Sequence, residues 1–184
     1  VLGNGWGAGT WGRFTWSSGA GSLAGQNLRL WMSDSWGEDL VANIVDGSLY
    51  YWDATNGKSN RMVELSSVVG ASNVPTTVRK VMVSDVDRHV LCFGSNPLGS
   101  ATFDPLLIRW SSQESVTDWT PTATNTAGDI RLSQGSEIVT AVRTTRQILV
   151  FTENSLHSVQ FVGAPFTFGT ALIGTNVRIA GPNT

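Results

Sequence analysis

The stretch from Ile138 to Phe161, IVTAVRTTRQILVFTENSLHSVQF, sets three apolar runs so close together that only tight turns can join them. The runs are Ile138 to Val142, Gln147 to Phe151 and Leu156 to Phe161, and they are rich in Val, Ile and Phe. Thr144-Thr145 and Glu153-Asn154-Ser155 break them. Branched and aromatic side chains suit strands, whereas Thr, Asn and Ser suit turns. Parallel neighbours need a crossover of about a dozen residues, which is not available here. The stretch is therefore read as an antiparallel β-meander.

Imperfect copies of the meander precede it. Arg88-x-Val90-Leu91-x-Phe93 overlays Arg146-x-Ile148-Leu149-x-Phe151 at an offset of 58 residues, which also places Val81 on Val139. A third copy is Leu40 to Trp52, where Asp46-Gly47 is the signal of a two-residue type I′ hairpin and Leu49 to Trp52 takes the place of Val90 to Phe93. Repeated meanders with several strands per unit predict an all-β fold of small sheets, propeller-like in character. A β-sandwich, whose hairpins also look alike, is the alternative.

The remaining segments fit the same plan. Asn27 to Ser33 alternates Leu28, Leu30 and Met32 against Arg29 and Trp31, a half-buried strand. Asp34 to Glu38 and Asp53 to Asn60 read as turns, and Arg61 to Leu65 and Leu106 to Trp110 as strands. Residues 122–128 read as loop, and Gly163-Ala164-Pro165 turns the chain into a last strand from Phe166 to Ile173. The expected organisation is an arm over residues 1–25 and a domain of four-stranded sheets over 26–184, within a longer polypeptide.

Charge and residue usage exclude several classes. Charged residues make up 14% of the 184, and the net charge is −2, so no general basic surface for nucleic acid is expected. The ten Arg outnumber Lys58 and Lys80, a skew toward the residue that forms forked pairs at interfaces. Cys92 is the sole cysteine, expected as a small buried residue, and no internal disulfide can form. No apolar run approaches the roughly 18 residues of a membrane helix.

Catalytic chemistry finds no foothold in the motifs. There is no Gly-x-Ser-x-Gly elbow, no phosphate-binding Gly-Lys-Ser/Thr loop and no Cys/His metal spacing. His89 and His157 are expected as partly exposed strand residues. Asp85-Val86-Asp87 and Asp46-Gly47 are expected as turn formers, since neither belongs to a run of alternating calcium ligands. No catalytic, cofactor or metal residue is expected. The arm carries Trp6, Trp11 and Trp16 at five-residue intervals among alternating glycines. They are possible partner contacts: either an arm buried on neighbouring structure or a sugar-stacking platform.

A more specific signature lies between Leu106 and Gly135. Its elements are Ile108-Arg109-Trp110-Ser111, Asp118-Trp119-Thr120-Pro121 and Asn125-Thr126-Ala127-Gly128-Asp129. Trp36-Gly37-Glu38-Asp39-Leu40, Asp46-Gly47, Asp87-Arg88-His89 and Gly163-Ala164-Pro165-Phe166 accompany it. The signature resembles structural proteins of short-tailed bacteriophages, in particular tail nozzle, tail-tube and phage stabilisation proteins. The resemblance runs from about Leu28 to Gly181. It implies a β-propeller within a larger protein, copies assembled as a ring below portal and adaptor proteins, and double-stranded DNA passing through without sequence-specific binding. It implies a place in the virion tail, no membrane and no catalytic residues.

Trp110, Asp118, Trp119, Gly128 and Asp129 are then expected as architecture: the indoles pack across strands or sheets, and the two aspartates accept backbone N–H bonds in turns. Arg109 and Arg131 are candidates to pair with those aspartates. About three units are counted, fewer than the roughly four sheets that close a propeller. A carbohydrate-binding β-domain and a glycanase on a propeller scaffold are the readings from other classes.

Overall fold

The computed structural model describes residues 30–84, 87–163 and 165–182. Twelve strands fall in these residues, and they form three separate four-stranded antiparallel sheets. Sheet I holds β1 (Trp31–Trp36), β2 (Asp39–Ile44), β3 (Leu49–Trp52) and β4 (Val63–Glu64). Sheet II holds β5 (Val78–Ser84), β6 (His89–Ser95), β7 (Asp104–Trp110) and β8 (Gly128–Arg131). Sheet III holds β9 (Ile138–Arg143), β10 (Ile148–Thr152), β11 (Ser155–Gly163) and β12 (Thr167–Thr175). In each sheet the strands lie side by side in chain order, so each is a meander. The fold is all-β, and the meander read at Ile138 to Phe161 is β9 to β11.

Sheet II is covered on both faces, and its alternation explains how. Met82, Leu91, Phe93, Ile108 and Trp110 share one core with Ile138, Ile148, Val150, Val159 and Phe168 of sheet III. Val81, Val83, Val90 and Cys92 share the other with Trp36, Val41 and Leu49 of sheet I. Neighbours along a strand point to opposite faces. Every residue of β6 is therefore buried, whichever way its side chain points. Phe93 is 0% exposed, and truncating a ring so placed costs about 3–5 kcal/mol.

The first strand of each sheet lies on the inside. β5 packs against β1 and β2, β9 packs against β5 and β6, and β4 is the far edge of sheet I. Meanders stacked face to face in this way are consistent with a propeller-like and with a sandwich-like fold.

Several expectations about register are corrected. Leu49–Trp52 is β3, the third strand of its sheet, and so does not correspond to Val90 to Phe93; that place belongs to β2. The first hairpin turn spans Val45 to Ser48, with Asp46 in the left-handed region (φ 57°) and Gly47 outside it, so it is not a two-residue type I′ turn. Val81 pairs with Cys92 and Ala141 pairs with Val150, so Val81 corresponds to Ala141 and not to Val139. The hairpin after β9 is two residues shorter than the one after β5, and this absorbs the difference. The strand expected at Asn27 to Ser33 is centred later, on β1, because the turn into β2 is formed by Gly37 (φ 67°) and Glu38. β8 lies partly in the segment read as loop.

Candidate functional site

Two places concentrate the polar side chains that hold distant parts of the chain. The first is where β1, β5 and β9 converge. An edge strand presents unpaired N–H and C=O groups. Here side chains from the neighbouring sheet satisfy them. Asn43, 0% exposed on β2, accepts from the Val81 N–H (3.0 Å) and donates to the carbonyls of Val78 (2.8 Å) and Arg79 (3.1 Å). Asp34 accepts from the Val83 N–H at 2.9 Å. Sheet I thus closes the free edge of β5.

Sheet II does the same for sheet III. Arg79 Nη1 donates to the Ile138 carbonyl (3.1 Å), and Lys80 Nζ donates to the Ala141 carbonyl (2.7 Å) and to Thr140 Oγ1 (2.9 Å). Arg143 on β9 returns a bond to the Val83 carbonyl (2.7 Å) and lies 3.6 Å from Asp34. Arg79 also pairs with Asp46 of sheet I (3.0 Å) and with Glu137 at the entry to β9 (2.5 Å), so one guanidinium joins all three sheets. Burial alone lowers the Arg79 pKa, but the Asp46 and Glu137 carboxylates outweigh it and hold the guanidinium above its ordinary value. Among the described residues Lys80 has no carboxylate that close; burial pushes its pKa down, with Asp34 opposing.

The second place is the signature loop between β7 and β8, where the expected architecture residues come together. Trp110 is buried between sheets II and III and donates Nε1–H to the Thr126 carbonyl at 2.7 Å. Trp119 is buried between sheets I and II and donates to the Val116 carbonyl at 2.9 Å. The loop is pinned in both cores. Asp118 accepts from the Thr120 N–H (3.2 Å), Ser72 Oγ (3.1 Å) and Asn125 Nδ2 (2.9 Å), as a turn-forming aspartate should. Asn125 also donates to the Thr120 carbonyl (2.7 Å). Gly128 sits opposite Trp110 on β8, leaving room for the indole.

Other expectations for this loop are corrected. Asp129 is exposed and makes no side-chain hydrogen bond among the described residues. Arg109, 3% exposed, donates to the carbonyls of Asn96 (3.2 Å), Asn73 (2.9 Å) and Trp119 (3.3 Å) and to no carboxylate among the described residues. Burial lowers its pKa, partly offset by Cys92 and Asp129. Arg131 pairs with Asp104 (2.7 Å), not with Asp118 or Asp129. In both cases proximity in sequence was outweighed by cross-strand and inter-loop neighbours.

The histidines are also corrected: both are buried. His89 is 0% exposed, bonds Thr126 Oγ1 at 3.0 Å and lies edge-on to Phe168 with ring centroids 5.2 Å apart. Burial lowers its pKa, with Asp87 opposing. His157 is 1% exposed and bonds Ser155 Oγ and the Gln134 carbonyl, each at 3.1 Å. Alternation does not expose them, because His89 faces sheet III and a loop closes over His157. Cys92 is buried as expected, and burial pushes its thiol pKa well up.

Trp6, Trp11 and Trp16, the arm of residues 1–25, Leu28 and the Asp85-Val86 turn lie outside the described residues. Among the described residues no group of three or more His, Cys, Asp or Glu is placed to hold a metal ion, and no helix is long and apolar enough to cross a membrane. Of the residues that fasten the sheets together, the sequence reading missed Asp34, Asn43, Arg79 and Lys80. The skew toward Arg was the only signal pointing their way. No protein-family model matches the chain, and no curated protein matches it either.

Proposed function

We propose that this chain is a structural part of a virion: a propeller-type segment of the ring-shaped nozzle of a short phage tail, through which double-stranded DNA passes. Its partners are copies of itself and the portal, adaptor and other tail proteins, and its place is the tail. It carries no catalytic step. The observation that supports this best is the fastening of three sheets at their inner strands by Asn43, Asp34, Arg79 and Lys80. Such cross-links suit a rigid wall that must not deform as a polymer moves past it. The net charge of −2 suits a lumen that lets DNA slide, because phosphate affinity comes from neutralising basic groups.

The test is the mass of the native protein in solution, by size exclusion with light scattering, alone and with portal and adaptor proteins. A defined ring, or assembly on mixing, is expected. A stable monomer that ignores those proteins refutes the reading.

A second reading, a carbohydrate-binding domain, has one observation in its favour. A cleft of about 570 Å³ at the hairpin ends of sheets II and III is walled by Phe161 and Phe168 and rimmed by Asp87, Arg146, Gln147 and Gln160. Aromatic walls with amide and charged rims suit sugars. Binding on a glycan array that is lost in Phe161→Ala decides for it.

A further inference from the structure

The two outer faces of the three-sheet stack follow from the repeat. On β6, Leu91 and Phe93 are 0% exposed beneath sheet III, while Val90 and Cys92 face sheet I. On β10 the corresponding residues are Leu149 and Phe151, and Ile148 and Val150. The registers agree, since Leu91 pairs with Met82 as Leu149 pairs with Val142. Ile148 and Val150 are buried against sheet II, just as Val90 and Cys92 are against sheet I. Leu149 and Phe151 should then lie under a further sheet. Among the described residues they do not: both are half-exposed, and their neighbour Val142 is 44% exposed.

The other end of the stack is complementary. The outer face of sheet I carries Trp31, Ile44, Tyr50 and Trp52, with Trp31 51% exposed and its ring centroid 5.5 Å from that of Tyr50. In the repeat this face corresponds to the Val90 and Cys92 face of sheet II, the one that receives the preceding sheet. Val142, Leu149 and Phe151 are uncharged, and among the described strand residues of the sheet I face the one charge is Glu64, opposite Tyr50 on the far edge strand β4, so the centre of each face lacks the charges that keep sheets apart.

We propose that the outer face of sheet III packs on the outer face of sheet I of a second copy of this chain, head to tail, and that two copies close one ring of six sheets. The step between sheets is the one the chain already makes twice. Propellers close with about four to eight sheets. With three sheets among the described residues of each chain, two copies fall inside that range and three copies outside it. A head-to-tail contact closes when its rotation completes a circle. The inference rests on the sheet repeat and not on the virion reading: the dimer can form while portal and adaptor proteins are ignored, and the reverse.

Light scattering on the 184-residue chain across a range of concentrations tests it, with Val142→Glu and Trp31→Glu, each checked for retained strand content by circular dichroism. Twice the 19.7 kDa chain mass is expected for the wild type. At least a tenfold weaker dimer is expected for either variant alone. Mixing the two variants should restore dimers, because one intact pair of faces then remains. A dimer that Trp31→Glu leaves unchanged would be face to face and overturns the proposal. A monomer at all concentrations overturns it too. In that case, slow labelling of a cysteine placed at 142 identifies another part of the polypeptide as the cover.

Discussion

Gly128 lies directly across β7 and β8 from Trp110, so close that a Cβ on it would stand 2.7 Å from the indole Cζ2 and 3.0 Å from Cε2. The Trp110 ring cannot step aside, because its Nε1–H is held by Thr126 and its other side meets Phe168 at a centroid distance of 5.1 Å. Gly128→Ala is therefore expected to cost about 1–3 kcal/mol, the usual range for overpacking. Thermal or urea melts measure it. Combined with Trp110→Phe, the loss should be smaller than the sum of the two single losses, since residues in contact do not add.

Arg79 gives a graded prediction. Its partners Asp46 and Glu137 are 48% and 41% exposed, so Asp46→Asn and Glu137→Gln should each cost less than about 1 kcal/mol. Arg79→Met also strips the Ile138 carbonyl of its donor and should cost about 1–3 kcal/mol. A double-mutant cycle in low and high salt separates the two effects, because only the ion-pair part should fade with salt. A loss no larger in Arg79→Met than in Glu137→Gln would show that the guanidinium does not fasten the sheets.

His89 predicts the direction of a pH effect. Burial lowers its folded-state pKa below the ordinary 6.5, so the unfolded chain takes up the proton first as pH falls. Stability is then complete above about pH 6.5 and declines as the pH drops from there toward the folded-state pKa. Melts at pH 7 and pH 5 should show a larger loss in the wild type than in His89→Gln, which cannot titrate. An equal loss in both would place the titrating group elsewhere.

Cys92 is a built-in reporter of opening. At 0% exposed, and with burial opposing the thiolate, it should not react with a thiol reagent in the native protein. Labelling should appear in step with denaturant unfolding. Prompt labelling in native buffer would mean that sheets I and II separate readily.

Strands and turns could be read locally. Val, Ile and Phe in β9 and β10 with Thr144-Thr145 between them leave the backbone few alternatives, and the turn at Asp118 depends on residues within a short reach. The choice of Trp110, Asp118, Trp119 and Gly128 as architecture rested instead on the resemblance of the signature, with which the local chemistry of indoles and a glycine beside turn formers agrees. The partners of Arg109 and Arg131 were misread because they were read locally: the aspartates nearest in sequence were favoured over carbonyls and a carboxylate brought near by pairing.

Folding decided what covers each face and who closes each edge. Alternation along β6 is the same whether one face is wet or both are dry, and only the presence of sheet III on one side and sheet I on the other buries His89 as well as Cys92. Asn43 reaches Val81 across 38 residues, and Arg79 reaches Glu137 across 58. Hydrogen bonds and ion pairs of that span leave no periodicity, because their geometry exists only once the sheets have stacked. The burial pattern of single strands follows from side-chain chemistry, whereas the joining of three sheets at their inner edges follows from packing.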